Sequence, residues 1–505
     1  MINVISKKFL VIIVIFFMMA PTVISMTTSK KSTEYKKLII EENKNIINKY
    51  SKEDTNLTII RIAQYPKFSN TWTFKEYESG AGEASGNYVF NYTWRVNNKT
   101  YTFHNRILTL KEIMGEGKTP LNVENYDLLY VGVNYWSYIR DGSIKKLSNN
   151  IKKFLSEGGG YIGSCGGAIF ASQGFEKPKD IYQRVSNRGV LNVAGIYLNH
   201  DYFGEIQYVI REKYGLPPLN LKVEDPTEVP IFKDYKDTHI NLTYGGGAGL
   251  YLSDITDPDL GEVTPLLTFD EELMETKPLH WYRKGILPGW IPYKKVKTDI
   301  KGYHAGIATT YNNSGRIVLF AVHAEIPIIA NGTIVEKFDF RDKYSSFGII
   351  PRIVYEYRGT FLNLSKNFWI HRRAAAWVAG VPNEELPPTN ELGVILSKPS
   401  FMINCIYINN SLSFLKFPQR WLNKLLNIFG MTIIFGDVTV EVTAESNKKV
   451  EFYLDGVLEC TDYTYPYTWV LDKNNFIGVH NLEVRGYDEY GNYARSGSDF
   501  YFINT

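Results

Sequence analysis

The most constraining feature of the sequence is a run of alternating elements between residues 126 and 172. YDLLYVGV is an apolar run typical of a strand buried on both faces of a sheet. SIKKLSNNIKKFLSEGGG follows, with apolar residues at helical spacing and three glycines at its end, which predict a helix and its stop. A second strand, GYIGS, then turns into an apolar helix, GGAIFAS. This order predicts an α/β fold with a doubly wound, mostly parallel sheet.

Flanking segments extend this expected domain over residues 57–382. NLTIIRIAQY reads as a buried strand, and alternating aromatic and polar residues over 66–105 favour an inserted or exposed hairpin. RRAAAWVAGVP reads as a closing helix. Between residues 190 and 350 the strand-like segments are VLNVAGIYL, INLTYGGGAGLYL, TPLLTF, GIATTY and RIVLFAVH.

The C-terminal region has a different, all-β character. Residues 383–395 contain several prolines and acidic residues, which indicates a linker. Short strands with Gly, Asn and Asp turns follow over residues 396–505 and predict a small immunoglobulin-like β-sandwich. Asp455, Asp462 and Asp488 allow a calcium site, although aspartates of this kind are more often turn residues.

The N-terminal region predicts export. Lys7 and Lys8 precede an apolar run to Ala20, so residues 1–25 read as a signal peptide or as an uncleaved membrane anchor. Residues 26–56 read as a polar stalk or helix. We therefore expect the bulk of the chain to be extracellular or at the cell surface. Eight glycosylation sequons agree weakly with export: Asn56, Asn91, Asn98, Asn241, Asn312, Asn331, Asn363 and Asn409.

Charge and motif content exclude several function classes. The net charge is only +3 and no dense basic stripe occurs, so we expect no nucleic-acid partner. No nucleotide-binding or zinc motif is present, so we expect no cofactor and no metal. The chain has three cysteines, and spacing leaves open whether Cys405 and Cys460 form a disulfide or are two free thiols. Cys165 is then the thiol that has no candidate disulfide partner.

Cys165 lies in GSCGG, where a strand meets a helix. A tight turn of this kind projects one side chain from the sheet, and flanking glycines accept a strained backbone. The N-terminus of the following helix stabilises a thiolate and offers N–H groups to an oxyanion. A buried structural cysteine in a glycine-rich turn is the competing interpretation.

A base and an acid follow a later strand. RIVLFAV leads directly into His323, Ala324 and Glu325. A cysteine nucleophile needs a base within reach, and this base needs a carboxylate that orients it. Either motif alone is common. Together, the elbow and the His-x-Glu predict a Cys165–His323–Glu325 triad.

These segments together resemble the class I glutamine-amidotransferase-like superfamily, and most closely the N-terminal domain of eukaryotic-type biotin–protein ligases and its stand-alone relatives. The resemblance implies a flavodoxin-like fold, with Cys165 as nucleophile, His323 as base and Glu325 as its orienting group. It implies oxyanion donors at Gly166 and near Val133 and Asn134. The family's glycine pair reads Gly132–Val133 here, and Ala324 replaces its usual proline. The C-terminal strands resemble immunoglobulin-like modules of bacterial and archaeal surface proteins.

Two functions follow as expectations. The first is a thiol-dependent amide or peptide hydrolase that acts on an unidentified extracellular substrate, with the membrane as a further partner if the N-terminal segment stays uncleaved. The second is a catalytically silent binding or structural surface protein that keeps the fold as a scaffold, because a triad alone does not prove turnover.

Overall fold

A computed structural model describes most of the chain between residues 56 and 504. The described residues are 56–65, 89–132, 144–179, 181–199, 217–224, 226–276, 280–284, 290–295, 297–326, 328–337, 354–361, 366–399, 406–408, 410–412, 432–473 and 476–504. The expected signal or anchor (1–25), the expected stalk up to residue 55, and Val133, Asn134 and Cys405 lie outside them.

The chain divides into two compact units, residues 1–58 with 98–100 and residues 59–97 with 101–505. In the described part of the first unit, the Thr100 N–H donates to the Asn56 carbonyl oxygen at 3.1 Å. All site residues discussed below belong to the second unit.

Most regular structure consists of strands. They are β1 Leu57–Gln64, β2 Tyr92–Val96, β3 Lys99–Ile107, β4 Leu128–Val131, β5 Gly160–Ser164, β6 Ile196–Leu198, β7 Pro218–Val223, β8 His239–Thr243, β9 Leu250–Leu252, β10 Thr264–Phe269, β11 His280–Lys284, β12 Trp290–Lys295, β13 His304–Tyr311, β14 Gly315–Phe320, β15 Ile329–Lys337, β16 Val354–Phe361, β17 Gly393–Lys398, β18 Ile406–Ile408, β19 Ser411–Leu412, β20 Thr432–Phe435, β21 Val438–Glu445, β22 Lys449–Leu454, β23 Val457–Asp462, β24 Tyr467–Leu471, β25 Phe476–Tyr487 and β26 Tyr493–Asn504.

Helices are fewer and mostly short. They are α1 Leu110–Ile113, α2 Ile144–Ser156, α3 Gly166–Ala171, α4 Ile181–Asn187, α5 Leu273–Thr276 and α6 Phe368–Val378, with a 3-10 turn at Asn383–Glu385. In the described residues, none of these helices is long and apolar enough to cross a membrane.

A parallel block of four strands carries the Cys165 region. β1 pairs with β4, β4 with β5, and β5 with β14, all in parallel. All four residues of β4 are buried, as its apolar sequence predicts. α2 connects β4 to β5 and buries Leu147, Ile151 and Phe154 on one face, which follows from their helical spacing. Gly158 ends this helical segment at φ +97°, a conformation that glycine adopts without a Cβ penalty.

The prediction of a doubly wound, mostly parallel α/β fold is wrong. In the part of the chain that the structure describes, strand residues far outnumber helical residues, and the main sheet is large and mixed. Beyond β14 the sheet continues antiparallel through β13, β10, β7 and β8.

The physical reason lies in the connections. Parallel strands need a crossover of a dozen or more residues, whereas antiparallel strands need only a short turn. β13 and β14 are joined by a tight turn in which Asn312 and Asn313 have φ of 52° and 51°. Asn tolerates this left-handed region better than most residues. Turn residues, not helices, separate most of the strand-like segments between residues 190 and 350, which favours antiparallel pairing.

The C-terminal strands pair mostly antiparallel, although β20 pairs in parallel with β18 and β26. β17, β21 and β24 make a three-stranded sheet, while β22 pairs with β23 and β25, and β25 with β26. Asp455 and Gly456 form the two-residue β22–β23 turn, and both have positive φ, as an Asp-Gly pair favours. Asp462 and Asp488 each accept a backbone N–H from the residue two positions later in their own turns. All three aspartates therefore act as turn residues.

Candidate functional site

Cys165 occupies a strained elbow between β5 and α3. Its φ of 51° and ψ of −102° are unusual for a residue with a side chain. The Cys165 N–H donates to the Phe320 carbonyl oxygen of β14 at 2.7 Å, and its own carbonyl accepts from Ala168 at 3.1 Å. These bonds hold the strained backbone from both sides. Such strain, held by surrounding structure, is typical of functional positions.

Two glycines allow α3 to pack this closely to the sheet. A Cβ on Gly167 would lie 2.0 Å from the Val131 carbonyl oxygen, and one on Gly163 would lie 2.6 Å from the backbone of Gly167. The buried Tyr161 hydroxyl donates to the Gly167 carbonyl oxygen at 2.8 Å. The GSCGG sequence is therefore required by packing as well as by the turn.

His323 reaches the same place from β14. Phe320 at the end of β14 pairs with Ser164 at the end of β5, and the two strands are parallel. Because the carboxyl ends of parallel strands meet at one edge of a sheet, the residues that follow them, Cys165 and His323, are brought together. The His323 N–H donates to the Thr243 carbonyl oxygen at 2.8 Å, which fixes the backbone at this point.

The structure brings Cys165, His323 and Glu325 together at one buried point. The Cys165 side chain is close enough to the His323 ring to raise its pKa. His323 Nδ1 lies 2.8 Å from Glu325 Oε1. All three side chains are buried, with Cys165 6% and His323 2% exposed. This is the nucleophile–base–carboxylate order that the sequence predicts, in a setting with little solvent.

The electrostatics couple His323 to Glu325. Burial lowers the pKa of His323, but the Glu325 carboxylate and the neighbouring Cys165 side chain outweigh it and raise the pKa above its usual value. Burial raises the pKa of Glu325, but the His323 imidazolium outweighs it and lowers this pKa. The pair is therefore most stable as imidazolium and carboxylate, which is the state that stabilises a neighbouring thiolate.

Of the other expected site residues, the oxyanion donors, the structure describes only Gly166. Gly166 directly follows Cys165 as the first residue of α3, and the first N–H groups of a helix have no acceptor within it. Val133 and Asn134 lie outside the described residues. Within the described ranges, no group of three His, Cys, Asp or Glu side chains could hold a metal ion.

Sequence reasoning missed three side chains around Glu325. The Ser164 hydroxyl donates to Glu325 Oε1 at 2.9 Å. Burial and the Glu325 charge raise the pKa of Tyr130. His371 of α6 faces the other carboxylate oxygen. Because Ser164 is adjacent to Cys165 in sequence, its place in the site could have been predicted. Nothing in the sequence indicates that Tyr130 or His371 lies near the triad.

Comparisons with known proteins concern mainly the C-terminal region. Residues 430–484 match the bacterial Ig domain family. This confirms the expected immunoglobulin-like module. No protein with a curated description matches the chain. None of the similarities found extends to the amidotransferase-like resemblance.

Three solved structures show distant likeness. Fibronectin(III)-like modules of Clostridium thermocellum CbhA are 17% identical, with 22% of this chain and 95% of theirs covered and a TM-score of 0.15. SMU.1228c is 11% identical, with 53% and 78% covered and a TM-score of 0.25. The β-galactosidase Gan42B is 7% identical, with 87% and 38% covered and a TM-score of 0.29. All three TM-scores are below 0.5, so these similarities carry no argument about function.

Proposed function

We propose that the chain is a thiol-dependent hydrolase of amide or related acyl bonds, with Cys165 as nucleophile, His323 as base and Glu325 as orienting carboxylate. The observation that supports it best is that the buried Cys165 side chain lies beside His323, whose Nδ1 is 2.8 Å from Glu325 Oε1. Cys165 occupies a strained elbow, where a purely structural cysteine has no need of positive φ.

The proposed reaction has two halves. The Cys165 thiolate attacks the substrate carbonyl carbon, and the carbonyl oxygen becomes an oxyanion. The intermediate collapses to a thioester, and the His323 imidazolium gives its proton to the departing amine. A water then attacks the thioester and transfers a proton to His323. The carboxylic acid leaves, and the thiolate–imidazolium pair is restored.

The oxyanion needs donors near the attacked carbonyl. The Gly166 N–H, next to the nucleophile, supplies one in this proposal, and backbone N–H groups near Val133 and Asn134 supply the second. The elbow, the His-x-Glu spacing and the chain order Cys, His, Glu also support a relationship of this triad to that of the class I glutamine-amidotransferase-like superfamily, including the biotin–protein ligase N-terminal-domain-like proteins.

A second function is favoured by one observation. Cys165 and His323 are almost completely buried, which leaves little surface for a substrate. In this alternative the domain is a catalytically silent scaffold for binding at the cell surface, and the Ig domain presents it. Both functions share the proposed export, which the N-terminal apolar run and the bacterial Ig domain support.

Thiol reactivity separates the two functions. In a Cys405→Ser, Cys460→Ser background, Cys165 is the single thiol of the chain. The alkylation rate is measured against pH in this background, with and without His323→Ala. The hydrolase predicts fast alkylation near neutral pH that falls at least about tenfold without His323. Slow alkylation that His323→Ala leaves unchanged contradicts it and supports the scaffold.

A further inference from the structure

A buried histidine that the proposed reaction does not use lies beside the triad. His371, in the first turn of α6, is 0% exposed, and its Nε2 is 3.6 Å from Glu325 Oε2. Among the described residues, neither ring nitrogen of His371 nor Oε2 of Glu325 has a hydrogen-bond partner. Buried polar atoms without partners are rare and costly, so three of them at one point require an explanation.

The surroundings fix the His371 ring in place. It packs against the rings of Tyr130 and Phe320, with centroids 5.9 Å and 5.2 Å away. Its helix neighbours Arg372 and Arg373 turn elsewhere: their Nε atoms donate to the carbonyl oxygens of Val89 and Ile231. Among the described residues, the titratable groups that face His371 are therefore Glu325, His323 and Tyr130.

We propose that His371 is a positioning residue of this site: its neutral ring, protonated on Nε2, faces Glu325 Oε2 and shares the carboxylate with His323. This inference deepens the proposed function and rests on it. The distance of 3.6 Å is too long for a hydrogen bond, so the interaction at rest is that of an N–H dipole with a carboxylate. The two carboxylate oxygens then have separate partners, Oε1 with His323 and Ser164, and Oε2 with His371.

The charge state of His371 agrees with this arrangement. Burial lowers its pKa, the Glu325 charge opposes that shift, and the His323 charge adds to it. The net lowering keeps the ring neutral at neutral pH. A neutral imidazole ring carries one N–H. If the proton is on Nε2, His371 offers a donor to Glu325, and if it is on Nδ1, His371 does not.

Sharing the carboxylate lowers the basicity of His323. With neutral His323 the His323–Glu325 pair carries a net charge of −1, and with the imidazolium it carries none. The His371 N–H stabilises the anionic pair more than the neutral pair, so it favours release of the His323 proton. Glu325 raises the pKa of His323, and His371 opposes this shift. The pKa of His323 is thereby brought closer to the pH at which His323 must give its proton to a leaving group.

The first test uses the unaltered full-length chain. Histidine-selective ¹⁵N labelling and NMR read the tautomer of each of the eight histidine rings, and the single variants His323→Ala and His371→Phe assign the two rings. The proposal expects a neutral His371 with its proton on Nε2 at neutral pH. A proton on Nδ1 of His371, or a charged His371 ring, in the parent protein overturns it.

The second test measures the pKa of His323 in two variants. His371→Phe keeps an aromatic ring for the contacts with Tyr130 and Phe320 but removes the donor, whereas His371→Gln keeps an N–H donor. The pKa of His323 is expected to rise by about 1 pH unit in His371→Phe and to stay near the parent value in His371→Gln. An unchanged pKa in His371→Phe overturns the proposal.

These readouts separate the two levels of inference. If His323 responds to His371→Phe while Cys165 remains slow to alkylate, the hydrolase function fails and the positioning role stands. If Cys165 is reactive and depends on His323, but His323 does not respond to His371→Phe, the positioning role fails and the hydrolase function stands.

Discussion

Ser164 and Glu325 are joined by a buried hydrogen bond: the Ser164 hydroxyl donates at 2.9 Å to Oε1, the same carboxylate oxygen that pairs with His323. The residue before the elbow cysteine therefore restrains the carboxylate at the far end of the triad. Two adjacent residues therefore contribute to the site. Ser164, at the end of β5, bonds to Glu325, and Cys165, at the elbow, lies beside His323.

Removal of the Ser164 hydroxyl is expected to weaken this arrangement. Ser164→Ala leaves the carboxylate with one donor fewer, so we expect about 1–3 kcal/mol loss in the free energy of unfolding and a several-fold slower alkylation of Cys165. Ser172→Ala is the matched control, because Ser172 is equally buried but donates to the Ile169 carbonyl oxygen of α3. It should lose similar stability without slower alkylation. Equal alkylation rates in both variants would show that Ser164 is merely structural.

The close approach of α3 to β4 gives a stability prediction. Gly167→Ala places a Cβ 2.0 Å from the Val131 carbonyl oxygen, so the helix must shift, and we expect a loss of at least about 2 kcal/mol in chemical denaturation. Gly195→Ala is the control, since its nearest neighbours are 3.7 Å and 3.8 Å away. A loss in Gly167→Ala no larger than in Gly195→Ala contradicts the observed packing.

The His323–Glu325 pair predicts a pH window of stability. The raised pKa of His323 gives stability that is fully present below the unfolded pKa, about 6.5, and is lost as pH rises through the folded pKa. The lowered pKa of Glu325 gives stability that is present above about pH 4.3 and is lost as pH falls through the folded pKa. The pair therefore contributes most between about pH 4.3 and 6.5.

Urea denaturation of the parent and of Glu325→Gln across pH 4–9 measures this window. The difference in the free energy of unfolding between the two should be largest near pH 5–6, by the reasoning above. Asp270→Asn is the control, because Asp270 pairs with His239 at 3.2 Å on the exposed surface, where ion pairs contribute little. A difference for Glu325→Gln that is constant with pH would contradict the coupling of His323 and Glu325.

Arg372 is expected to be a stability determinant of α6. It is fully buried, donates to the carbonyl oxygens of Val89 and Leu392 at 2.8 Å each, and lies 4.0 Å from the centre of the Tyr92 ring. Arg372→Lys cannot reproduce both bonds and the stacking, so we expect a loss of about 2–4 kcal/mol in the free energy of unfolding.

Arg316→Lys provides the comparison for that measurement. Arg316 is partly buried, donates one bond to the Trp377 carbonyl oxygen at 2.8 Å and lies 4.9 Å from the Trp377 ring. Its replacement should cost about 1 kcal/mol or less in the same denaturation experiment. Comparable losses in the two variants would contradict the special role of the buried arginine.

The local sequence pattern predicted secondary structure correctly in segments whose apolar residues are buried as the pattern implies. The apolar run of β4, the helical spacing in α2 and the GSCGG turn all correspond to the predicted elements. The predicted strand in VLNVAGIYL was too long, because only Ile196–Leu198 pairs with β9. Apolar content alone marks burial, and burial does not distinguish a strand from a packed loop.

The sequence by itself determined the elbow at Cys165, the His-x-Glu after a core strand and the immunoglobulin-like module, because each depends on residues close together in the chain. Only the tertiary structure decided that the sheet is mixed, since a strand's direction depends on its partner and not on its own apolar pattern. It also decided which polar groups surround Glu325. His371 lies 46 residues from it in sequence, and only the packing of α6 against β14 brings the two together.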